Sequence, residues 1–120
     1  MLVNYKGLKL DKFQIEALQL LEKGYSVIVC APTGAGKTLI AEYLLEKELK
    51  QGNNIIYTAP IKAINNQKFR DFSKIYPEKV GILTGDVTIN PQASCLIMTT
   101  EIFRNMVLEK DTRLNTVSYV

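Results

Sequence analysis

Eight residues in a row, Ala31-Pro32-Thr33-Gly34-Ala35-Gly36-Lys37-Thr38, have the types and spacing of a phosphate-binding loop, with Ala31 where the strict pattern has glycine. The chemistry sets the spacing. Main-chain N–H groups must converge on phosphate oxygens, so Gly34 and Gly36 supply unusual dihedrals and let a ligand approach the backbone closely. The loop opens a helix, whose N-terminus carries partial positive charge. Lys37 is placed to reach the β- and γ-phosphates of a nucleoside triphosphate, and the Thr38 hydroxyl to ligate Mg²⁺. The plain alternative is a glycine turn with a solvated lysine. It leaves two costs unexplained: a lysine in a first helical turn opposes the macrodipole, and the small residues before it give up helix stability. A bound anion accounts for both.

A further segment, Thr58-Ala59-Pro60-Ile61-Lys62-Ala63, places polar residues where a strand gives way to a helix. The ends of parallel strands are where open α/β sheets bind ligands. Residues 60–79 carry five basic side chains (Lys62, Lys68, Arg70, Lys74, Lys79) against two acidic ones (Asp71, Glu78). Helix N-termini, backbone amides and Lys62 suit phosphate groups, while the distal lysines read as a solvated helix face. Thr100 before a helix also reads as an ordinary N-cap. Gln14, three residues after Asp11, reads locally as part of a capping box.

These positions need elements to hold them. Residues 11–23 predict a helix with Phe13, Ala17, Leu20 and Leu21 on one face and Gly24 as its stop. Residues 26–30 (SVIVC) predict a strand buried on both faces. Residues 37–51 predict a helix with Leu39, Ile40, Tyr43 and Leu44 at helical spacing, ending at Gly52. Strands follow at 54–58, 80–83 and 95–99, with a turn-rich stretch at 84–94. Helices follow at 61–76 and 101–109, and residues 116–120 open another strand. The alternation implies an α/β fold, a partial parallel sheet with helices on both faces.

The 120 residues bound the chain to one domain or less. With 47% apolar and 22% charged residues it is globular rather than disordered. Its apolar runs are too short for a membrane span or a secretory signal, so no membrane partner is expected. The net charge of +3 permits an anionic partner without requiring one. The absence of histidine removes histidine triads, shuttles and metal ligands. Cys30 and Cys95, each within an apolar run, are expected as reduced core thiols, in keeping with an intracellular, cytoplasmic location.

APTGAGKT, with FQIEAL upstream and TAPIKAINNQKFRDF and TGDVTINPQASCLIMTTEIFRNM downstream, resembles the first RecA-like domain of a superfamily-2 helicase. It is most similar to the superkiller-type, exosome-associated RNA helicases of the DEAD/DEAH group. The resemblance runs from residue 10 to 120. It implies a P-loop NTPase binding ATP and Mg²⁺ on Pro32, Thr33, Gly34, Ala35, Gly36, Lys37 and Thr38, with Lys37 and Thr38 catalytic and Thr38 on the metal. It implies that Gln14 reads adenine, against its local reading as a cap, and makes Tyr5 a candidate for stacking on the base. It implies that Pro60, Lys62, Ala63, Gly85, Asp86, Thr99, Thr100 and Arg104 grip single-stranded RNA or DNA, with Asn66, Gln67 and Arg70 as outlying candidates. A backbone grip serves RNA and DNA alike; the resemblance points to RNA. The family's Asp-Glu motif and second RecA-like domain would follow residue 120, so the chain is expected to be the N-terminal portion of domain 1, without turnover of its own. A nucleotide- or nucleic-acid-binding module without turnover, and a P-loop ATPase of another kind, remain the alternatives.

Overall fold

The computed structural model describes residues 4–32 and 34–120. The chain divides into two compact units, Met1–Lys47 and Glu48–Val120.

In the first unit, β1 (Asn4–Tyr5) and β2 (Leu8–Lys9) form a small antiparallel hairpin. Its turn residues Lys6 and Gly7 both have positive φ, 52° and 76°, as a two-residue turn matched to strand twist requires. Helix α1 (Lys12–Glu22) follows, then an extended stretch, the phosphate loop and α2 (Lys37–Lys50). Leu10, Ala17, Leu18 and Ile40 are the buried centre, with Phe13, Leu21, Val27, Val29, Leu39 and Tyr43 packed round them. Leu20, expected on the inward face of α1, is 42% exposed, and Leu18 takes its place in the core.

The expected strand at 26–30 is not one: these residues join no ladder, and Ile28 is 92% exposed. Val27 and Val29 turn into the cluster while Ser26, Ile28 and Cys30 face out, so only one side of this apolar run is covered. Cys30 is correspondingly exposed rather than a core thiol. Cys95 is fully buried, and burial pushes its thiol up to about 12.

The second unit carries the sheet. Its strands are β3 (Asn54–Ala59), β4 (Val80–Leu83), β5 (Thr88–Ile89), β6 (Cys95–Thr99) and β7 (Val117–Tyr119), in the order β5-β4-β6-β3-β7. All pairs are parallel except β4 with β5. The register sets Ala59 beside Thr99 and Leu83 beside Met98, so three strands end on one line. Helix α3 (Lys62–Ile75) crosses from β3 to β4, and α4 (Thr100–Leu108) leaves the end of β6.

Side chains alternate across the central strands. Ile56, Leu83, Leu96 and Met98 pack with Met106, Ile102 and Phe103 of α4. The other face carries Tyr57, edge-on to Phe72 of α3 at 5.7 Å. Every residue of β4 and β6 is buried, which is why VGIL and CLIM read as continuous apolar runs. Burying each large side chain stabilises by about 1.5–3 kcal/mol. Before β7, a 3₁₀ turn (Thr112–Thr116) is capped by Asp111, which accepts from the Arg113 N–H at 2.9 Å and from its guanidinium at 2.7 Å. Those bonds hold the Asp111 carboxyl at about 2.

Strand β5 lies within the stretch expected to be turn-rich, and it folds back on β4 as a hairpin. It closes tightly on Gly81: a Cβ there would stand 2.1 Å from the Asn90 carbonyl oxygen and 2.9 Å from that of Ile89. Both obstacles are main chain, so neither can rotate away. Gly81→Ala should lower the unfolding free energy by about 1–3 kcal/mol, read from the midpoint of urea denaturation.

Candidate functional site

The phosphate loop lies in the first unit. The Ala35 N–H donates to the Pro32 carbonyl at 3.1 Å, closing a turn that carries the chain into α2. Gly34 and Gly36 have φ of 85° and 91°, in the left-handed region that a side chain would strain. The Lys37 Nζ donates to the Ala31 carbonyl at 2.7 Å, which lays the ammonium back along the loop. Pro32, Gly34, Lys37 and Thr38 are exposed and Ala35 is half-buried. Thr33 lies outside the described residues. Two left-handed glycines, a lysine folded along the loop and the open end of a 14-residue helix suit a nucleotide phosphate. Thr38 lies in the first turn of α2 with its residue exposed to solvent. Among the described residues no group of three or more acidic or cysteine side chains is gathered to hold a metal.

Gln14 is buried, at 5% exposure, and both ends of its amide are engaged. Its Oε1 accepts from the Asp11 N–H at 2.7 Å, so it caps α1 as the local sequence suggests. Its Nε2 donates to the Gly36 carbonyl at 3.0 Å, within the phosphate loop. A Cβ on Gly36 would lie 2.7 Å from that nitrogen, so the glycine is needed for this approach as well as for its φ. The link spans 22 residues and the spacing of the motifs gave no sign of it. Tyr5 stands edge-on to Tyr43 at 5.3 Å, and its hydroxyl donates to Glu46 at 2.5 Å.

The strand-end residues lie in the second unit and gather along the line where β3, β4 and β6 finish. Pro60, Lys62 and Ala63 open α3, and all three are exposed. Gly85 and Asp86 follow β4 and are exposed, as are Thr100 and Arg104 on α4. Thr99, not Thr100, caps α4: its Oγ1 accepts from the Ile102 N–H at 3.4 Å, and it is 7% exposed. Thr100 is the first helical residue. Two helix N-termini therefore open on the same edge, each with partial positive charge.

Beneath the edge, fully buried Asn65 donates through Nδ2 to the Ala59 carbonyl at 2.9 Å, which ties the end of β3 to the first turn of α3. Lys62 Nζ meets Asp86 Oδ2 at 2.7 Å. Further along α3, Arg70 donates to Gln67 at 2.9 Å and Gln67 to Asp71 at 2.9 Å, a self-contained exposed chain.

A family model described as DEAD/DEAH box helicase matches residues 11–120. The chain belongs to the DEAD/DEAH box helicase family. It is 50% identical over 111 residues to the DExH-box ATP-dependent RNA helicase DExH9 of Arabidopsis thaliana, covering 92% of this chain and 11% of that protein. It is 50% identical over 113 residues to the antiviral helicase SKI2 of Saccharomyces cerevisiae, covering 93% of this chain and 9% of the relative. With the human exosome RNA helicase MTR4 the identity is 48% over 111 residues, again 92% of this chain and 11% of the relative. The chain thus spans about a tenth of the length of the curated relatives it matches. The α/β architecture, with its mostly parallel sheet, is that of a RecA-like domain. No helix among the described residues is long and apolar enough to cross a membrane.

The Gln14 bonds have a measurable weight. Gln14→Ala removes the acceptor at the start of α1 and leaves the Gly36 carbonyl without its side-chain donor. Stability should fall by about 1–2 kcal/mol, seen as a lower midpoint in chemical denaturation.

Proposed function

We propose that this chain is the ATP- and strand-binding portion of the first RecA-like domain of an ATP-dependent RNA helicase. The observation that carries this reading is the pairing of a phosphate loop leading into α2 with a separate line of exposed strand-end residues, in a chain of this family. ATP occupies residues 32–38. The loop amides and Lys37 hold the phosphates, and Thr38 holds Mg²⁺, which neutralises charge on the β- and γ-phosphates. Gln14 lies beside the loop through Gly36 and is proposed to reach the adenine, exchanging an internal hydrogen bond for one to the base.

Single-stranded nucleic acid runs along the edge formed by Pro60, Lys62, Ala63, Gly85, Asp86, Thr99, Thr100 and Arg104. Thr99 acts there as the buried cap that fixes the N-terminus of α4, and the exposed residues touch the backbone. RNA is favoured because two of the relatives named above, DExH9 and MTR4, are RNA helicases. The protein then works inside the cell. Hydrolysis requires more than binding: an attacking water must be positioned and charge on the transferring group stabilised. We assign that step to the whole protein, with a second RecA-like domain and an Asp-Glu pair beyond residue 120.

Lys37→Ala removes a charge-assisted contact and should weaken ATP binding by ~1.5–3 kcal/mol, roughly ten- to a hundredfold. Calorimetric titration with Mg²⁺-ATP on the folded variant checks this, and equal affinity in wild type and variant would remove the assignment. Lys62→Glu should weaken binding of a labelled single-stranded RNA at low ionic strength. Wild-type affinity should fall steeply with salt and vary little with sequence, because the contacts are to phosphates. Fluorescence anisotropy reads both, and salt-insensitive or base-specific binding would contradict the proposed edge.

A further inference from the structure

Lys62 and Asp86 come from different elements, 24 residues apart, and meet at the strand-binding edge. Lys62 begins α3, and Asp86 sits in the turn after β4. The turn holds Asp86 in place without help from the lysine. Thr84 Oγ1 accepts from the Asp86 N–H at 3.3 Å and from the Val87 N–H at 3.1 Å. The Thr84 N–H also donates to the Val87 carbonyl at 2.9 Å. Thr84 itself is buried, so the carboxylate stands on a fixed base.

The lysine has less to anchor it. Its side chain is 54% exposed and reaches over the Gly85 backbone, where a Cβ would come within 3.7 Å of the ammonium. The Asp86 side chain is 75% exposed, so a strand lying on this edge can reach the pair from solvent.

A carboxylate accepts hydrogen bonds and cannot donate them, and it carries the sign of a phosphate. Asp86 and a backbone phosphate therefore compete for the same ammonium and repel each other. When a phosphate takes Lys62, the fixed Asp86 carboxylate stays beside it without its cation, and the pair goes from balanced to net negative. Exposed ion pairs are weak, so the exchange is easily made in either direction.

We propose that Asp86 is an internal stand-in for the strand's phosphate. It holds Lys62 when the edge is empty, yields it to a phosphate on binding, and takes it back as the strand leaves. Asp86 thus acts as a positioning residue that lowers affinity and speeds release. The proposal rests on the strand-binding reading above and gives one residue of that edge, Asp86, the opposite effect: its removal strengthens the grip.

The test is fluorescence anisotropy and stopped-flow dissociation with a fluorescein-labelled single-stranded oligouridylate. The proteins are wild type, Asp86→Asn, Lys62→Met and the double variant, each first shown to be folded by circular dichroism. Asp86→Ser is the second variant should Asp86→Asn fail to fold.

Asp86→Asn should bind about two- to tenfold more tightly at low salt and release the strand more slowly. Its slope of log affinity against log salt should steepen by up to about 0.7, because no freed carboxylate recaptures a cation. With Lys62→Met already present, Asp86→Asn should lose most of its effect. Unchanged or weaker binding by a folded Asp86 variant, while Lys62→Met still weakens the wild type, would overturn the stand-in role alone. Failure of the wild type to bind at any salt would overturn the strand-binding reading and this inference with it.

Discussion

The parallel register of β6 between β3 and β4 is the constraint from which the second unit follows. Cys95–Thr99 is buried throughout, and its neighbours are aligned so that Ala59, Leu83 and Thr99 finish almost level. Parallel strands cannot be joined by tight turns, so each connection must cross a face of the sheet. Helix α3 makes one crossing, and α4 leaves β6 to begin the next. Both helices then start where the strands stop. A helix start leaves N–H groups without intrahelical partners. The same geometry that buries the core therefore brings two helix starts to one edge, with the Ile102 N–H of α4 capped by Thr99.

The phosphate loop answers a different requirement. Its backbone must bend into a region of φ that only glycine enters at little cost, and it must do so beside a buried side chain. Gln14 supplies that neighbour, with one end on the cap of α1 and the other on Gly36. A change of conformation at Gly36 is thereby felt at the start of α1. The proposed adenine-reading role and the observed structural role draw on the same amide, so a nucleotide would find Gln14 already oriented but engaged at both ends.

Much of this was legible in the residues. VGIL and CLIM gave β4 and β6 to the residue, because strands buried on both faces need no alternation to announce them. Pro60 and the threonine pair marked the starts of α3 and α4. SVIVC looked the same as CLIM, yet only Val27 and Val29 are covered; an apolar run does not say how many of its faces have a neighbour. Strand β5 left no signal because it has two residues, both exposed. The choice between Thr99 and Thr100 as cap turns on a single N–H direction that either sequence position allows. The links from Gln14 to Gly36 and from Lys62 to Asp86 cross 22 and 24 residues, a distance at which local pattern is silent.

The exposure of the strand-end residues has a consequence for how such a surface changes over time. Lys62, Ala63, Gly85, Asp86, Thr100 and Arg104 contribute almost nothing to the packed interior, whereas Thr84, Asn65 and Thr99 just beneath them are buried and hold the turns in place. The upper layer can be rewritten with little loss of stability, and the lower layer cannot. Selection acting on grip, release or choice of strand thus has a tier of positions nearly independent of folding. On the proposed strand-binding reading, a library varied at those six sites would sort on binding, while one varied a single layer deeper would sort on whether the protein folds.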